Sequence, residues 1–499
     1  MDTDSTRWLK LRSGSEIRGP QQQLTDERAE KLGYAFACWL AERLGRTPDA
    51  VALAVGRDPR PSGARIKAAL TRGITAADSD VLDCGLCPTP ALFKAVQPVS
   101  GGADGAIMVT ASGTDAELNG FKFIASFGGI KSQEVDEILL TAAQTQVPER
   151  LVTLHDADGI YYESLRRAAA RWLEDDALKP LLGMRVIVDA RSALGQGFAR
   201  FLDAMGVETE GSLYPLEDEG GVAGDPDDTG NVDAVTRAVR TYRADLGVLF
   251  NTDGTRAVIV DDGGRRITQN RLIALVAAML LDERPGATLV TDSVTSSGLS
   301  AFIAEWGGVH YRFKRGHRNV IDEAIRLNAE GIDCPLAIET SGHAAFRDNG
   351  FLDDGIYLTT RVICEALSRK REGLNVFSLI DDLSEPVESV EIRLPALNAE
   401  DPAAGQEVVE TLLSYTLDNP RWQIAPDSRE GVRITFNLDG GVNNAWFQLR
   451  MSVHDPVMVL NAESDVPGGV RRILSALYAL IQDCDSLNLE PLRIAVNRG

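Results

Sequence analysis

Ser112 is the residue of this chain best placed for covalent chemistry. It lies in Val109-Thr-Ala-Ser112-Gly-Thr-Asp115, with Asn119-Gly-Phe-Lys122 just downstream. A serine beside glycine at the end of a strand can present its hydroxyl to a ligand or carry a phosphoryl group. Lys122 supplies a cation that could screen a phosphate or move a proton. Gly56-Arg57-Asp58-Pro-Arg60 follows another apolar run and adds two more cations. Three later stretches also gather polar side chains: Asn251-Thr-Asp253-Gly-Thr255-Arg256, Glu339-Thr-Ser341-Gly-His343, and Arg450-Met-Ser452-Val-His454-Asp-Pro456. In the first of these, Asp253 is the sole carboxylate.

The elements that must position these loops alternate in type. Short apolar runs such as Val51–Gly56, Asp80–Cys84 and Gly105–Thr110 read as strands, and Ser62–Ala77 has helical spacing. This alternation is the pattern of α/β units. Two further units repeat it, with strands at Arg185–Asp189 and Leu246–Phe250, then at Thr288–Asp292 and Pro335–Glu339. Helical patterns cover Asn270–Leu281 and Asn319–Glu330. From about 385 the pattern changes. Ser389–Leu394, Val432–Phe436 and Ala445–Arg450 read as half-exposed strands, with helices over 402–417 and 467–483, so an α+β domain closes the chain. The acidic, glycine-rich stretch 216–230 reads as a solvated loop.

At 499 residues the chain is too long for one core. It carries 51 basic against 73 acidic side chains, a net charge of −22, which disfavours nucleic acid and anionic membranes as partners. There is no leader pattern at the N-terminus and no apolar run long enough to span a bilayer, so the expected location is cytoplasmic. The scattered cysteines fit a reducing compartment, and Cys84-Gly-Leu-Cys87 reads as a buried strand-to-loop turn rather than a redox centre.

Taken in order, the loops resemble the α-D-phosphohexomutase superfamily of phosphomannomutases and phosphoglucomutases over essentially the whole chain. Ile17-Arg18-Gly19 matches "DIRG", Gly56–Arg60 matches "GRDxR" and Pro88-Thr-Pro90 contains the family's "TP". Ser112 with Asn119–Lys122 matches "TASHNP…NGxK", and Asn251–Arg256 aligns with the metal loop "DGDxDR". Glu339–His343 matches "ExSGH", and Arg450–Pro456 matches "RxSGTEP". Gly14–Gly19, Thr291–Leu299 and Phe313–Asn328 look like a divergent branch.

The resemblance implies four domains around a central cleft: α/β domains over 1–150, 151–266 and 267–380, and an α+β domain over 381–499. It implies a phosphoserine at Ser112, with Lys122, Arg18 and Arg57 as catalytic partners. Substrate would meet Glu339, Ser341, His343, His317, Arg318, Arg450, Ser452 and His454. Magnesium would bind Ser112, Asn251, Asp253 and Thr255, and a hexose 1,6-bisphosphate would act as activator. The implied reaction interconverts hexose 1- and 6-phosphates of glucose or mannose, by a monomer or homodimer whose partner is a small sugar phosphate.

The departures lie in the metal loop, where the family's three aspartates align with Asn251, Asp253 and Thr255, and two negative charges are lost. Asp115 could supply a replacement ligand. Two alternatives therefore stand beside the mutase: a pseudoenzyme that binds a sugar phosphate as sensor or regulatory partner, and a magnesium-independent phosphotransferase that relies on Arg57, Lys122 and Arg256.

Overall fold

The structure is a computed structural model that describes residues 3–97, 102–112, 115, 117–126, 128–147, 157–175, 177–215, 228–398, 405–452 and 455–498. The acidic stretch 216–227, residues 402–404 and His454 lie outside the described residues. The chain divides into two compact units. One comprises Met1–Ile267 with Leu352–Val376, the other Thr268–Phe351 with Phe377–Gly499.

The first unit holds two sheets. In the larger, strands Asp80–Leu86, Ala52–Arg57 and Gly105–Val109 run parallel, and Leu118–Ala125 and Glu16–Pro20 continue the sheet antiparallel. In the smaller, Val186–Val188 and Leu246–Phe250 are parallel, and Ala257–Asp261 returns antiparallel. Helix Gly355–Arg371 also belongs to this unit and packs on helix Ala157–Leu173. There Trp172 meets Tyr357 edge-on at 5.0 Å, and the Tyr161 hydroxyl donates to Asp354 at 2.7 Å.

The second unit repeats the scheme. Val309–Arg312, Thr288–Thr291 and Leu336–Ile338 are parallel, and Ala344–Phe346 returns antiparallel. Its other sheet is antiparallel throughout, in the order Glu388–Pro395, Val457–Ser464, Ala445–Met451, Val432–Phe436, Gln423–Ile424. Each parallel sheet thus ends in one tight reversal. The returns leave their strands at Thr110, Asn251 and Glu339, in the same stretches that carry the polar motifs. A parallel strand needs a long crossover, whereas a hairpin needs only a short loop. The reversal is therefore where the chain can crowd several polar groups at a strand end.

The expectation of half-exposed strands fails for Ala445–Met451, which is buried at every position but the last. Its second face is covered by the loop after Thr288–Thr291. Arg433, stacked 3.5 Å over Trp446, donates to the carbonyls of Ser293 at 2.8 Å and Thr295 at 3.1 Å. Polar residues on that face are thus buried in pairs rather than solvated. Among the described residues no cysteine forms a disulfide, and Cys84 and Cys87 are buried. No helix among the described residues is long and apolar enough to cross a membrane.

Helices Asp26–Leu44 and Gly63–Ala76 meet through two glycines. A Cβ on Gly33 would lie 2.2 Å from the Leu70 carbonyl oxygen, and one on Gly73 1.8 Å from that of Glu30. Alanine normally favours a helix over glycine, but here the added methyl has no room. Gly73→Ala should therefore lower stability by about 1–3 kcal/mol in denaturant unfolding; an unchanged or raised midpoint would contradict this packing.

Candidate functional site

Ser112 sits just past strand Gly105–Val109 with φ 53°, a left-handed conformation that costs a non-glycine residue energy. Two neighbours hold it there. The Ser112 N–H donates to the Thr110 hydroxyl at 3.0 Å, and that hydroxyl donates to Asp58 at 2.7 Å. Asp58 is itself locked by Arg60, through Nε at 3.0 Å and the backbone N–H at 3.2 Å. Arg60 also donates to the carbonyl of Leu118 at 3.0 Å, closing the reversal from beneath. Asp58 and Arg60 are both buried, so Arg60 is not the solvated cation its sequence suggests. Arg57 donates to the Asp58 carbonyl at 3.1 Å.

The Ser112 hydroxyl donates to Oδ2 of Asp253 at 3.0 Å. The same oxygen accepts from Lys122 Nζ at 2.8 Å and from the Thr89 hydroxyl at 3.1 Å, while Oδ1 accepts from the Thr255 hydroxyl at 2.9 Å. Asn251 donates its side-chain N–H to Thr255 at 3.1 Å and accepts the Arg256 N–H at 2.9 Å. Lys122 also lies 3.4 Å from Glu16, which is 3.5 Å from Arg18. Strand geometry explains this row. Arg18 pairs with Gly120, and side chains two apart share a face, so Glu16, Arg18 and Lys122 stand together. Gly120 is required there, because a Cβ would meet the Ile17 carbonyl oxygen at 2.0 Å.

Burial alone would push the Asp253 carboxyl up and the Lys122 ammonium down. Their mutual attraction outweighs burial, with Thr255 and Ser112 helping Asp253 and with Glu16 and Asp353 helping Lys122. Asp253 is thus held well below the usual carboxylate range and Lys122 above the usual lysine range.

In the second unit, the reversal Glu339–His343 closes on itself. The Glu339 carboxylate accepts the Gly316 N–H at 2.6 Å and the Ser341 hydroxyl at 3.2 Å, and Gly342 takes φ 92°. The His317 and His343 rings stack at 5.0 Å. Thr340 is tied to buried Asp292 at 2.6 Å. Arg450 is buried, and among the described residues its Nε has no hydrogen-bond partner, with the Glu430 carboxylate 3.9 Å away. Burial draws its guanidinium below the ordinary value, and Glu430 opposes that. Glu430 in turn accepts from the Ser293 hydroxyl at 2.6 Å and the Arg315 N–H at 3.1 Å. The backbone of 315–316 is therefore clamped between Glu430 and Glu339.

Arg318 is not drawn into this group, because it forms an ion pair with Asp322 one turn along its own helix. Ser452 accepts the Asp455 N–H at 3.3 Å. Sequence reasoning missed Glu16, Thr89, Thr110 and Glu430. Thr89 and Glu16 lie inside quoted motifs and could have been found there; Glu430 lies in no motif.

The magnesium implied by the resemblance fits this loop poorly. Asp253 is the one carboxylate, its oxygens are filled by four donors, and Asn251 presents an N–H rather than an oxygen to Thr255. Among the described residues no trio of His, Cys, Asp or Glu ligand atoms converges on Asp253. Asp115 is no substitute: it is exposed and caps a turn by accepting the Glu117 N–H at 2.9 Å. Removing the Asp253 charge would leave a buried ammonium with Glu16 and the more distant Asp353. Asp253→Asn should therefore cost roughly 3–5 kcal/mol in denaturant unfolding, and adding Lys122→Met should cost less than the sum of the single changes. Strict additivity would contradict the pairing.

Residues 10–148 match the family model "Phosphoglucomutase/phosphomannomutase, alpha/beta/alpha domain I", and residues 268–385 match the corresponding domain III model. The phosphomannomutase/phosphoglucomutase of Pseudomonas aeruginosa is 28% identical over 485 residues, 94% of this chain and 95% of that protein. The phosphoglucosamine mutase of Corynebacterium jeikeium is 30% identical over 361 residues, 69% of this chain and 76% of that one. A solved phosphoglucomutase/phosphomannomutase family protein from Burkholderia thailandensis has the same fold, with a TM-score of 0.78 and 24% identity over 98% of this chain and 100% of that one. A strained serine at a strand end and matches along nearly the whole chain thus lead to one conclusion: this protein belongs to the α-D-phosphohexomutase superfamily.

Proposed function

We propose that this chain interconverts hexose 1-phosphate and hexose 6-phosphate, of glucose or mannose, through a phosphoserine at Ser112. The observation that carries the reading is the presentation of Ser112, held in a left-handed turn with its hydroxyl against a buried carboxylate and a lysine. In the forward half-reaction the Oγ–phosphorus bond breaks as a bond forms from phosphorus to the sugar hydroxyl. The proton of that hydroxyl ends on Ser112 Oγ. The bisphosphate so formed then turns and returns its other phosphoryl group by the reverse step.

Glu339 and Ser341 are the residues for sugar hydroxyls, with His317 and His343 beside them. Arg450, buried and under-bonded at Nε, gains from an incoming phosphate, which supports it as the anchor of the non-reacting phosphoryl group. Arg18 and Arg57 complete the positive charge near Ser112. The domain boundaries 1–150, 151–266, 267–380 and 381–499 go with this reading, in which the matched domain I and domain III models fall inside the first and extend slightly past the third. A hexose 1,6-bisphosphate would keep Ser112 charged between turnovers.

Ser112→Ala should lower mutase turnover by about 10⁴-fold or more while hexose phosphate still binds. Arg450→Ala should instead weaken that binding about 10–100-fold. A coupled assay and calorimetry check both, and full turnover by Ser112→Ala would overturn the proposal.

A further inference from the structure

We propose that the Lys122 ammonium stands in for a divalent cation at Ser112, so that phosphoryl transfer there proceeds without metal. This inference rests on the phosphoserine reading above and specifies the charge that serves it.

The geometry supplies the first support. Lys122 Nζ lies 2.8 Å from Asp253 Oδ2, the same oxygen that receives the Ser112 hydroxyl at 3.0 Å. The lysine therefore sits where a cation shared by that carboxylate and a phosphoryl group on Ser112 would sit. Among the described residues its ion pairs are with Asp253 and with Glu16 at 3.4 Å. An ammonium has three N–H donors, so one remains for a phosphoryl oxygen. The hydroxyl hydrogen that Asp253 accepts from Ser112 vanishes once Oγ is phosphorylated, and Lys122 remains to separate the carboxylate from the phosphoryl charge.

Charge balance supplies the second. Relative to a loop with three aspartates, Asn251 and Thr255 remove two negative charges, the amount a divalent cation would neutralise. The loop with one aspartate and no metal therefore presents the same net charge to Ser112 as a loop with three aspartates and magnesium. The replacements are also bonded into the site as neutral groups. Asn251 donates to Thr255 at 3.1 Å, and Thr255 donates to Asp253 at 2.9 Å, so both are spent on orienting the carboxylate. The transfer uses the bonds already described: sugar oxygen to phosphorus forms, Oγ to phosphorus breaks, and the sugar proton moves to Oγ.

The test uses the full chain, glucose 1,6-bisphosphate as phosphoryl donor, and mass spectrometry of the peptide carrying Ser112, in excess EDTA or with magnesium. Magnesium is also titrated calorimetrically into the protein alone. The wild type should be phosphorylated at rates within about twofold in the two conditions, with no saturable magnesium binding. Asn251→Asp/Thr255→Asp should gain saturable magnesium binding, and Lys122→Met should lose phosphorylation under both conditions while Lys122→Arg retains part of it. Stimulation of the wild type by magnesium of about tenfold or more would overturn the inference and leave the mutase reading intact. Phosphorylation confined to the double aspartate variant with magnesium would do the same. Absence of phosphate on Ser112 in every protein and condition would overturn both.

Discussion

The buried carboxylate of Asp253 is the interaction on which the rest of the N-terminal site depends. It receives hydrogen bonds from four side chains that arrive from four separate stretches of the first unit: Thr89, Ser112, Lys122 and Thr255. A carboxylate can be buried only when its charge is matched and its lone pairs are filled. Here both conditions are met by the residues that the proposed phosphoryl transfer uses. Folding the site and poising it are thus the same event. The cost is that one oxygen of Asp253 is shared by the Ser112 hydroxyl and the Lys122 ammonium, which leaves little coordination capacity for anything else.

The scaffold beneath follows from the recurrence of one topological device. Each parallel sheet ends in a short antiparallel return, and that reversal is where polar groups collect. At Ser112 the reversal is braced from below by Asp58 and Arg60, two buried charges. At Glu339 the bracing comes from Asp292 and from the clamped backbone of 315–316. The strain at Ser112 is sustained by this over-determination, since removing one bond leaves several others to hold the turn.

Much of this was legible in the sequence, and the reasons are physical. Strands such as Leu246–Phe250 are buried on both faces, so their apolar runs are unbroken and bounded by turn residues. Helix His317–Ala329 shows its period because one side, with Val320, Ala324 and Leu327, packs on strands Thr288–Thr291 and Leu336–Ile338. Motif loops were legible because glycine is required at reversals, as at Gly342. What stayed hidden depends on the third dimension. Ala445–Met451 reads as half-exposed because Gln448 and Arg450 are polar, yet both are covered. Arg60 reads simply as a cation after a strand, and its burial against Asp58 emerges only in the fold. Arg318 reads as a substrate contact, and its ion pair with Asp322, one helical turn away, is seen only in three dimensions. Glu430 has no local signature, since its function is to accept from Ser293 and Arg315, both far away in the chain.

The account stands or falls on whether Ser112 passes a phosphoryl group in both directions. Phosphorus NMR of the protein charged with glucose 1,6-bisphosphate and then given excess hexose 6-phosphate follows both transfers in one sample. The account predicts a protein-bound phosphoserine resonance that appears on charging and disappears on addition of the monophosphate, with bisphosphate regenerated in its place. Spectra that show only free sugar phosphates throughout, from protein that binds them, would contradict it.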